Sequence, residues 1–166
     1  MLIGKKLFVY SDGNKQLNKI DLRLEQIELE KNTLVNEQME LTKKIKLLRE
    51  QPKDEEIIIE IALAEQRIII INKDLERLEP KWMEENLELL QKKMELEITI
   101  DEIKRYFPEL IWKEYYRIKE NVDNPVVEVK HQMCTGCFIP LSKSDLDKWR
   151  RGKELIKCDV CGRILA

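Results

Sequence analysis

Residues 134–161 read CTGCFIPLSKSDLDKWRRGKELIKCDVC, and this stretch contains all four cysteines of the 166-residue chain. The cysteines form two Cys-x2-Cys pairs that are separated by twenty residues. Each pair lets two sulfur atoms from one tight turn reach the same ion, and two such turns complete a tetrahedral site of four thiolates. We therefore predict one structural Zn²⁺ ion bound by Cys134, Cys137, Cys158 and Cys161.

Other uses of the thiols compete with structural zinc. Iron in the same four-sulfur geometry is the main chemical competitor. A redox dithiol would leave the second cysteine pair without a role. Catalytic zinc is disfavoured because four cysteines leave no position for water or substrate. His131 is the only histidine and lies three residues before Cys134. We interpret it as an ordinary strand residue, because the four thiols already satisfy the metal.

The sequence around the cysteines predicts a small α+β domain. The segment PLSKSDLDKWRRG favours a short helix with Ser142 and Asp145 as a capping pair and Gly152 as the stop. The segments VVEV, KELIKC and GRIL are typical of short strands. Gly162 and Gly136 give the two cysteine turns conformational freedom. With so few apolar residues, this domain needs metal to fold.

A heptad pattern begins before residue 20. It predicts a coiled-coil helix from about residue 15 to 50, with polar residues at two of its ten seam positions, Lys31 and Gln38. The apolar seam positions are Leu17, Ile20, Leu24, Ile27, Leu34, Leu41, Ile45 and Leu48. The segment EQPKDEE then interrupts the helix, since Pro52 disfavours helix at the residue before it. A short turn makes the next helix an antiparallel neighbour.

The second helix has a complementary apolar stripe, made of Ile57, Ile61, Ala64, Ile68, Ile71, Leu75 and Leu78. It also has more apolar residues than one seam can bury, namely Ile58, Ile59, Leu63, Ile69 and Ile70. This surplus indicates another surface against the helix, either a third segment or a second copy of the chain. Beyond it the pattern runs through Pro80, and either a kinked continuous helix or a break at Glu79 fits.

These patterns predict a mainly α fold: a long antiparallel coiled-coil helical hairpin followed by a small α+β C4 zinc ribbon. The predicted domains are residues 1–107 for the hairpin, with 1–14 unassigned, 108–125 for a connecting helix, and 126–166 for the ribbon. The connecting helix starts at Pro108, which suits a first helical turn, and ends at Asn124-Pro125.

Composition narrows the function. Charged residues make up 37% of the chain and the net charge is −2, so the whole molecule is no obvious binder of polyanions. The chain has no signal-peptide core and no run of eighteen uncharged apolar residues. We expect a soluble cytoplasmic protein without membrane contact. The sequence contains no P-loop, GxSxG or dinucleotide fingerprint. Its carboxylates follow periodic helical faces, as on a solvated surface, so we expect that the protein is not an enzyme.

One alternative function depends on cations in the ribbon. They could bind the phosphates of RNA or DNA, with Trp149 available to stack on bases. The cations are Lys148, Arg150, Arg151, Lys153, Lys157 and Arg163. The simpler interpretation, which we favour, is that KWRRGK is a helix C-terminus where cations suit the helix dipole, with Trp149 in the core.

The segments CTGCFIPL, LDKWRRGKELIKC and CDVCGRIL, preceded by FPELIWKEYYRIK and a long helical hairpin, resemble a bacterial family of C4-type zinc-ribbon proteins. The match covers about residues 105–165. The resemblance implies that the four cysteines bind zinc and that the protein is a non-enzymatic adaptor in flagellar regulation or type III secretion. By resemblance, its partners are an alternative sigma factor or a secretion or flagellar component, and in some members messenger RNA. A homodimer is a further expectation from the surplus apolar face.

Overall fold

The computed structural model describes residues 3–52 and 54–166. In these ranges, two long helices are followed along the chain by two short helices and four two-residue strands. Their bounds are α1 (Ile3–Arg49), α2 (Glu55–Tyr106), α3 (Glu109–Lys119), β1 (Val126–Val127), β2 (Val129–Lys130), β3 (Met133–Cys134), α4 (Lys143–Arg151) and β4 (Ile164–Leu165). The predicted fold class, a mainly α chain with a small α+β region around the cysteines, is confirmed. No helix in the described ranges has the length and apolar character to cross a membrane.

The chain divides into two compact units. The hairpin unit is Ile20–Lys92, and the terminal unit combines the chain up to Lys19 with Lys93–Ala166. The N-terminal part of α1 and the C-terminal part of α2 therefore belong to the same compact unit as the ribbon. The domain boundaries at residues 107 and 125 follow secondary structure instead, and they stay predictions.

In the hairpin unit, α1 and α2 run antiparallel and pack along the seam. Each seam contains buried residues, at Ile20, Ile27, Ile45 and Leu48 on α1 and at Ala64, Ile71 and Trp82 on α2. Ion pairs flank the seam, and they join Arg23 to Glu85, Lys31 to Glu79, Arg67 to Glu37, Lys44 to Glu60 and Arg49 to Glu65. The coiled-coil interpretation of both stripes is confirmed. The predicted turn between the helices includes Lys53, which lies outside the described residues.

Pro80 lies inside α2, and the helix continues through it. Of the two arrangements left open by the sequence, the break at Glu79 is therefore wrong. A proline removes one intrahelical hydrogen bond, so other contacts have to hold the helix there. Trp82 is only 6% exposed, and its indole Nε1 donates to Glu30 of α1 at 3.3 Å.

The start of α1 differs from the prediction. The helix begins at Ile3 rather than near residue 15, and it includes the segment SDGN. The physical reason is tertiary packing, because Leu7 and Tyr10 are buried in the core of the terminal unit. A Cβ atom on Gly13 would lie 3.2 Å from the side chain of Ile100, so glycine allows α1 and α2 to approach closely. Met1 and Leu2 lie outside the described residues.

The core of the terminal unit joins the first turns of α1, the end of α2, α3 and the ribbon strands. Aromatic rings pack together here: Tyr10 contacts Trp112 in a tilted arrangement and Tyr115 edge to face, at centroid distances of 4.6 and 5.5 Å. The phenol oxygens of Tyr10 and Tyr116 form a hydrogen bond of 3.0 Å. The ribbon strands therefore share one hydrophobic core with residues of α1, α2 and α3.

Two small sheets form the ribbon. Strand β1 pairs in parallel with β4, and β2 pairs antiparallel with β3. The predicted strand VVEV is split between β1 and β2 at Glu128, and GRIL contains β4. The predicted strand KELIKC is wrong over most of its length, because its one bridge joins Lys157 to Ile164. The segment bends at residues 153–154, and beside β4 the N–H of Leu165 donates to the carbonyl oxygen of Ile156 at 2.9 Å.

Candidate metal centre

The first cysteine turn follows the β2–β3 hairpin. Cys134 ends β3, and its Sγ accepts a hydrogen bond from the backbone N–H of Gly136 at 3.4 Å. The turn closes where the N–H of Phe138 donates to the carbonyl oxygen of Cys134 at 2.7 Å. His131 lies in the turn between β2 and β3 with φ of 51°, so its interpretation as a strand residue is wrong. It is not a member of the candidate metal group.

The second cysteine turn has the same construction. The N–H of Gly162 donates to the carbonyl oxygen of Cys158 at 2.8 Å, as Phe138 does to Cys134 in the first turn. The residues after the second cysteine of each pair also share a left-handed backbone, with φ of 70° at Gly162 and 60° at Phe138. The two turns are therefore repeats of one knuckle geometry.

The four sulfur atoms converge on one point. Sγ of Cys134 lies 3.7 Å from Sγ of Cys161, and Sγ of Cys137 lies 3.7 Å from Sγ of Cys158. All four ligand atoms lie within 4.8 Å of one another. A tetrahedron with Zn–S bonds of about 2.3 Å has sulfur–sulfur edges of about 3.8 Å. The cysteines thus fit one structural zinc ion, with all four tetrahedral positions filled by protein.

The surroundings of the thiols differ. Burial raises the pKa of Cys134 to about 12, and it also raises the pKa of Cys158. Burial acts in the same direction on Cys161, but hydrogen bonds from the backbone and side chain of Arg163 and contacts with Cys134 and Cys158 lower the pKa of Cys161 to about 7. Zinc binding at neutral pH must therefore displace protons from the buried thiols, which a divalent cation can do.

Helix α4 connects the two knuckles as the sequence predicts. The Oγ of Ser142 accepts a hydrogen bond from the N–H of Asp145 at 3.1 Å, and Gly152 ends the helix with φ of 60°. Trp149 from this helix packs against a small core that includes Cys134, Cys158 and Leu165. The metal and this core stabilise the same few residues, so the expected dependence of the ribbon on zinc is consistent with its packing.

The six candidate nucleic-acid-binding cations lie in different surroundings. Four are exposed at the C-terminal end of α4 or just beyond it, namely Lys148, Arg150, Arg151 and Lys153. The ammonium of Lys157 instead donates to Glu114 at 2.7 Å and lowers the pKa of that carboxyl. The guanidinium of Arg163 donates to the carbonyl oxygens of Asn124 and Gly136.

Trp149, the proposed stacking residue, is half-buried in the ribbon core rather than on the surface. Its indole N–H is buried and has no hydrogen-bond partner in residues 3–52 and 54–166. The burial agrees with the interpretation of KWRRGK as a helix C-terminus.

A residue that sequence reasoning missed lies in the first knuckle. Phe138 is 72% exposed and has a left-handed backbone, which side chains with a Cβ rarely adopt. The sequence contains the information needed to find it, since Phe138 follows Cys137 as Gly162 follows Cys161. Ile139 and Val160 are also exposed, at 41% and 60%. We call Phe138, Ile139 and Val160 the knuckle surface.

Residues 133–165 match the family model of the C4-type zinc ribbon domain. The match covers both knuckles and α4, and it agrees with the sulfur geometry and with one structural zinc ion.

Two solved structures resemble the whole chain. One is CT398 from Chlamydia trachomatis, with 19% identity, a TM-score of 0.47, and coverage of 97% of this chain and 84% of that one. The other is the HP0958 protein from Helicobacter pylori, with 23% identity, a TM-score of 0.35, and coverage of 98% and 84%. No curated protein sequence matches the chain at a significant level.

Proposed function

We propose that this protein is a non-enzymatic zinc-ribbon adaptor that binds protein partners through its helical hairpin and its zinc-stabilised head. The observation that carries the proposal is Phe138, a large aromatic side chain that is 72% exposed on a knuckle whose backbone disfavours it. Neither zinc binding nor the ribbon core requires an aromatic ring at this position. An exposed aromatic anchor is typical of residues that contribute most to protein interfaces.

Strain at Phe138 supports the same conclusion. A residue with a Cβ atom costs about 1 kcal/mol or more in the left-handed region, and glycine avoids this cost. Gly162 has the equivalent place in the second knuckle, so the fold accepts glycine there. Strained residues concentrate at functional sites, where the strain is offset by what the side chain does. Ile139 beside it in the chain and Val160 in the second knuckle are further exposed apolar side chains, of the kind that a protein partner covers.

Because cysteines supply all four ligands of the candidate zinc site, the site supports a binding role rather than catalysis. Four thiolates leave a tetrahedral zinc ion without a place for water or substrate. A zinc ion bound there would hold the two knuckles in one conformation, and with them the orientation of the Phe138 side chain.

The partner class comes from the resemblance to the bacterial zinc-ribbon family. We propose that the protein acts in the cytoplasm in the regulation of transcription, flagella or secretion, with an alternative sigma factor or a secretion or flagellar component as its partner.

The test is binding of the zinc-loaded full chain to the purified alternative sigma factor of the same bacterium, measured by biolayer interferometry. Phe138→Ala is expected to weaken binding about tenfold or more, as loss of an interface anchor does. Leu110→Ala is the matched control, because Leu110 is 75% exposed and lies on α3. Equal affinity of wild type and Phe138→Ala, or absence of binding to sigma factor and to flagellar and secretion components alike, would contradict the proposal.

Nucleic-acid binding is the second candidate, favoured by the four exposed cations at the end of α4. Titrating RNA and DNA at several salt concentrations tests it, since phosphate contacts weaken steeply with salt. Replacing Arg150 and Arg151 with glutamine should then reduce the salt dependence. Undetectable affinity at low salt would exclude this candidate.

A further inference from the structure

The side chain of Arg163 crosses from the second knuckle to the first. Arg163 lies two residues after Cys161, and its Nη1 donates to the carbonyl oxygen of Gly136 at 3.3 Å. Its Nε donates to the carbonyl oxygen of Asn124, two residues before β1, at 3.1 Å. One guanidinium thus ties the first knuckle to the second and both to the chain segment that enters β1. Both bonds join protein atoms, so they constrain the knuckles directly.

Gly136 is glycine for reasons of space rather than of backbone conformation. Its φ lies outside the left-handed region, in contrast to that of Gly162. A Cβ atom on Gly136 would lie 2.8 Å from Cδ of Arg163, closer than two carbon atoms pack, and 3.2 Å from Cγ1 of Val127. Arg163 therefore needs glycine at position 136 in order to reach the carbonyl oxygen there.

The second knuckle shows that the turn itself accepts a side chain at this position. Val160 is the equivalent of Gly136, since each precedes the second cysteine of its pair, and Val160 is 60% exposed. Ile139 is likewise the equivalent of Arg163, because the first cysteine of each pair donates its N–H to the carbonyl oxygen of one of them, at 3.1 and 2.8 Å. Ile139 is 41% exposed, whereas Arg163 bonds to the opposite knuckle. Arg163 and Gly136 therefore form a matched pair that the knuckle geometry alone does not require.

Arg163 also places a positive charge beside the cysteines. Four thiolates carry four negative charges, and a zinc ion supplies only two positive ones. The half-buried guanidinium bonds to Gly136, between Cys134 and Cys137, and it offsets part of the remaining negative charge. Groups that hold metal ligands in place contribute to metal affinity although they do not touch the ion.

From the crossed bonds and the matched glycine we infer that Arg163 is a positioning residue of the zinc site. It holds the first knuckle against the second and thereby favours convergence of the four sulfur atoms. Its removal should leave the four ligands unchanged but make zinc binding weaker and zinc release faster. This role concerns retention of the metal and is independent of the adaptor function proposed for the knuckle surface.

Competition with a chromophoric chelator, on the zinc-loaded full chain in a reducing buffer, measures the zinc association constant and the rate of zinc release. Arg163→Met keeps the aliphatic stem and removes every donor, so it should lower the association constant about tenfold or more. Arg163→Lys keeps the charge and a donor and should recover part of this loss. The matched control is Arg150→Met, which removes the same charge from an exposed ion pair with Asp147. An Arg163→Met variant that binds zinc as tightly as Arg150→Met, or an Arg163→Lys variant no tighter than Arg163→Met, would overturn the inference.

A double-mutant cycle tests whether Gly136 acts through Arg163. Gly136→Ala should displace the arginine side chain and lower the zinc association constant about tenfold. In an Arg163→Ala background the same change should cost about twofold or less, because the contact at 2.8 Å is gone. Losses that multiply to about a hundredfold in the double variant would overturn the inference, since independent sites add in free energy. Far-UV circular dichroism identifies any variant that unfolds, and the comparison of Arg163→Lys with Arg163→Met, which leaves Gly136 unchanged, then decides alone.

Discussion

Gln38 of α1 and Asn72 of α2 contact each other across the helical seam, with Nε2 of Gln38 donating to Oδ1 of Asn72 at 2.6 Å. Gln38 occupies a heptad position that is usually apolar, and Lys31, one heptad earlier, pairs with Glu79 at 3.6 Å. Both polar seam residues of α1 thus find polar partners on α2. Polar pairs at seam positions fix the register of a coiled coil at a cost in stability.

Replacing Lys31 and Gln38 together with leucine should stabilise the hairpin. Two apolar side chains then fill seam positions, and the half-exposed partners Glu79 and Asn72 can turn to water. We expect the melting temperature to rise by a few degrees, in line with about 1–2 kcal/mol of added burial. Thermal unfolding followed by circular dichroism measures it, with Lys43→Leu on the exposed face as the control. An unchanged or lower melting temperature would mean that the polar pairs stabilise the hairpin.

Gly4→Ala should destabilise the terminal unit strongly. A Cβ atom at Gly4 would clash with the carbonyl oxygen of Leu165 in β4, and the backbone there cannot move aside without disturbing the strand pair. Overpacking of this kind costs about 1–3 kcal/mol. At Gly13 the nearest atoms belong to the side chain of Ile100 at 3.2 Å, and alanine adds about 1 kcal/mol of helix propensity.

Urea unfolding of both variants distinguishes these effects. Gly4→Ala should lower the free energy of unfolding, while Gly13→Ala should leave it nearly unchanged. Equal changes in the free energy of unfolding of the two variants would show that Gly4 of α1 does not pack closely against Leu165.

Phe138→Gly should separate stability from binding. Removing the Cβ atom relieves the left-handed backbone, so the free energy of unfolding of the zinc-loaded ribbon should rise by about 1 kcal/mol. Affinity for the protein partner should fall at the same time. Chelator titration and thermal unfolding measure the first effect, and biolayer interferometry measures the second. A variant that loses stability would show that Phe138 belongs to the fold rather than to an interface.

Zinc affinity should fall as the pH falls. The raised pKa of Cys134 and Cys158 means that zinc displaces protons from these thiols throughout the neutral range. Below pH about 7, the metal-free protein also holds a proton on Cys161, so one more proton competes with zinc. The logarithm of the association constant should therefore fall more steeply below pH 7 than above it.

Competition with a chromophoric chelator between pH 6 and 8 measures this slope. Arg163→Gln removes the guanidinium that helps to lower the pKa of Cys161, so the change of slope should move to higher pH in that variant. A zinc affinity independent of pH would contradict the account.

The parts of the fold that depend on spacing were predictable from the sequence. The four cysteines, the capped helix α4 and the two seams of the hairpin are all set by short-range patterns. The helix at residues 3–14 was not predictable, because Gly4, Asp12 and Gly13 disfavour helix locally. Their conformation is decided by Leu7 and Tyr10, which pack on residues about a hundred positions away.

The candidate site was predictable only in its metal ligands. Residue spacing cannot show that Arg163 holds the first knuckle through the carbonyl oxygen of Gly136, or that Lys157 is paired with Glu114. It also left open whether a third segment or a second copy of the chain covers the surplus isoleucines of α2. The knuckle position of Phe138 could have been found by aligning Cys137-Phe138 with Cys161-Gly162.

X-ray absorption spectroscopy at the zinc edge tests the central claim most directly, on the full chain purified under reducing conditions. We expect one zinc per chain, with four sulfur neighbours at about 2.3 Å and no nitrogen or oxygen in the shell. A shell that contains nitrogen or oxygen, or a protein that carries iron in place of zinc, would contradict a closed structural site made of Cys134, Cys137, Cys158 and Cys161.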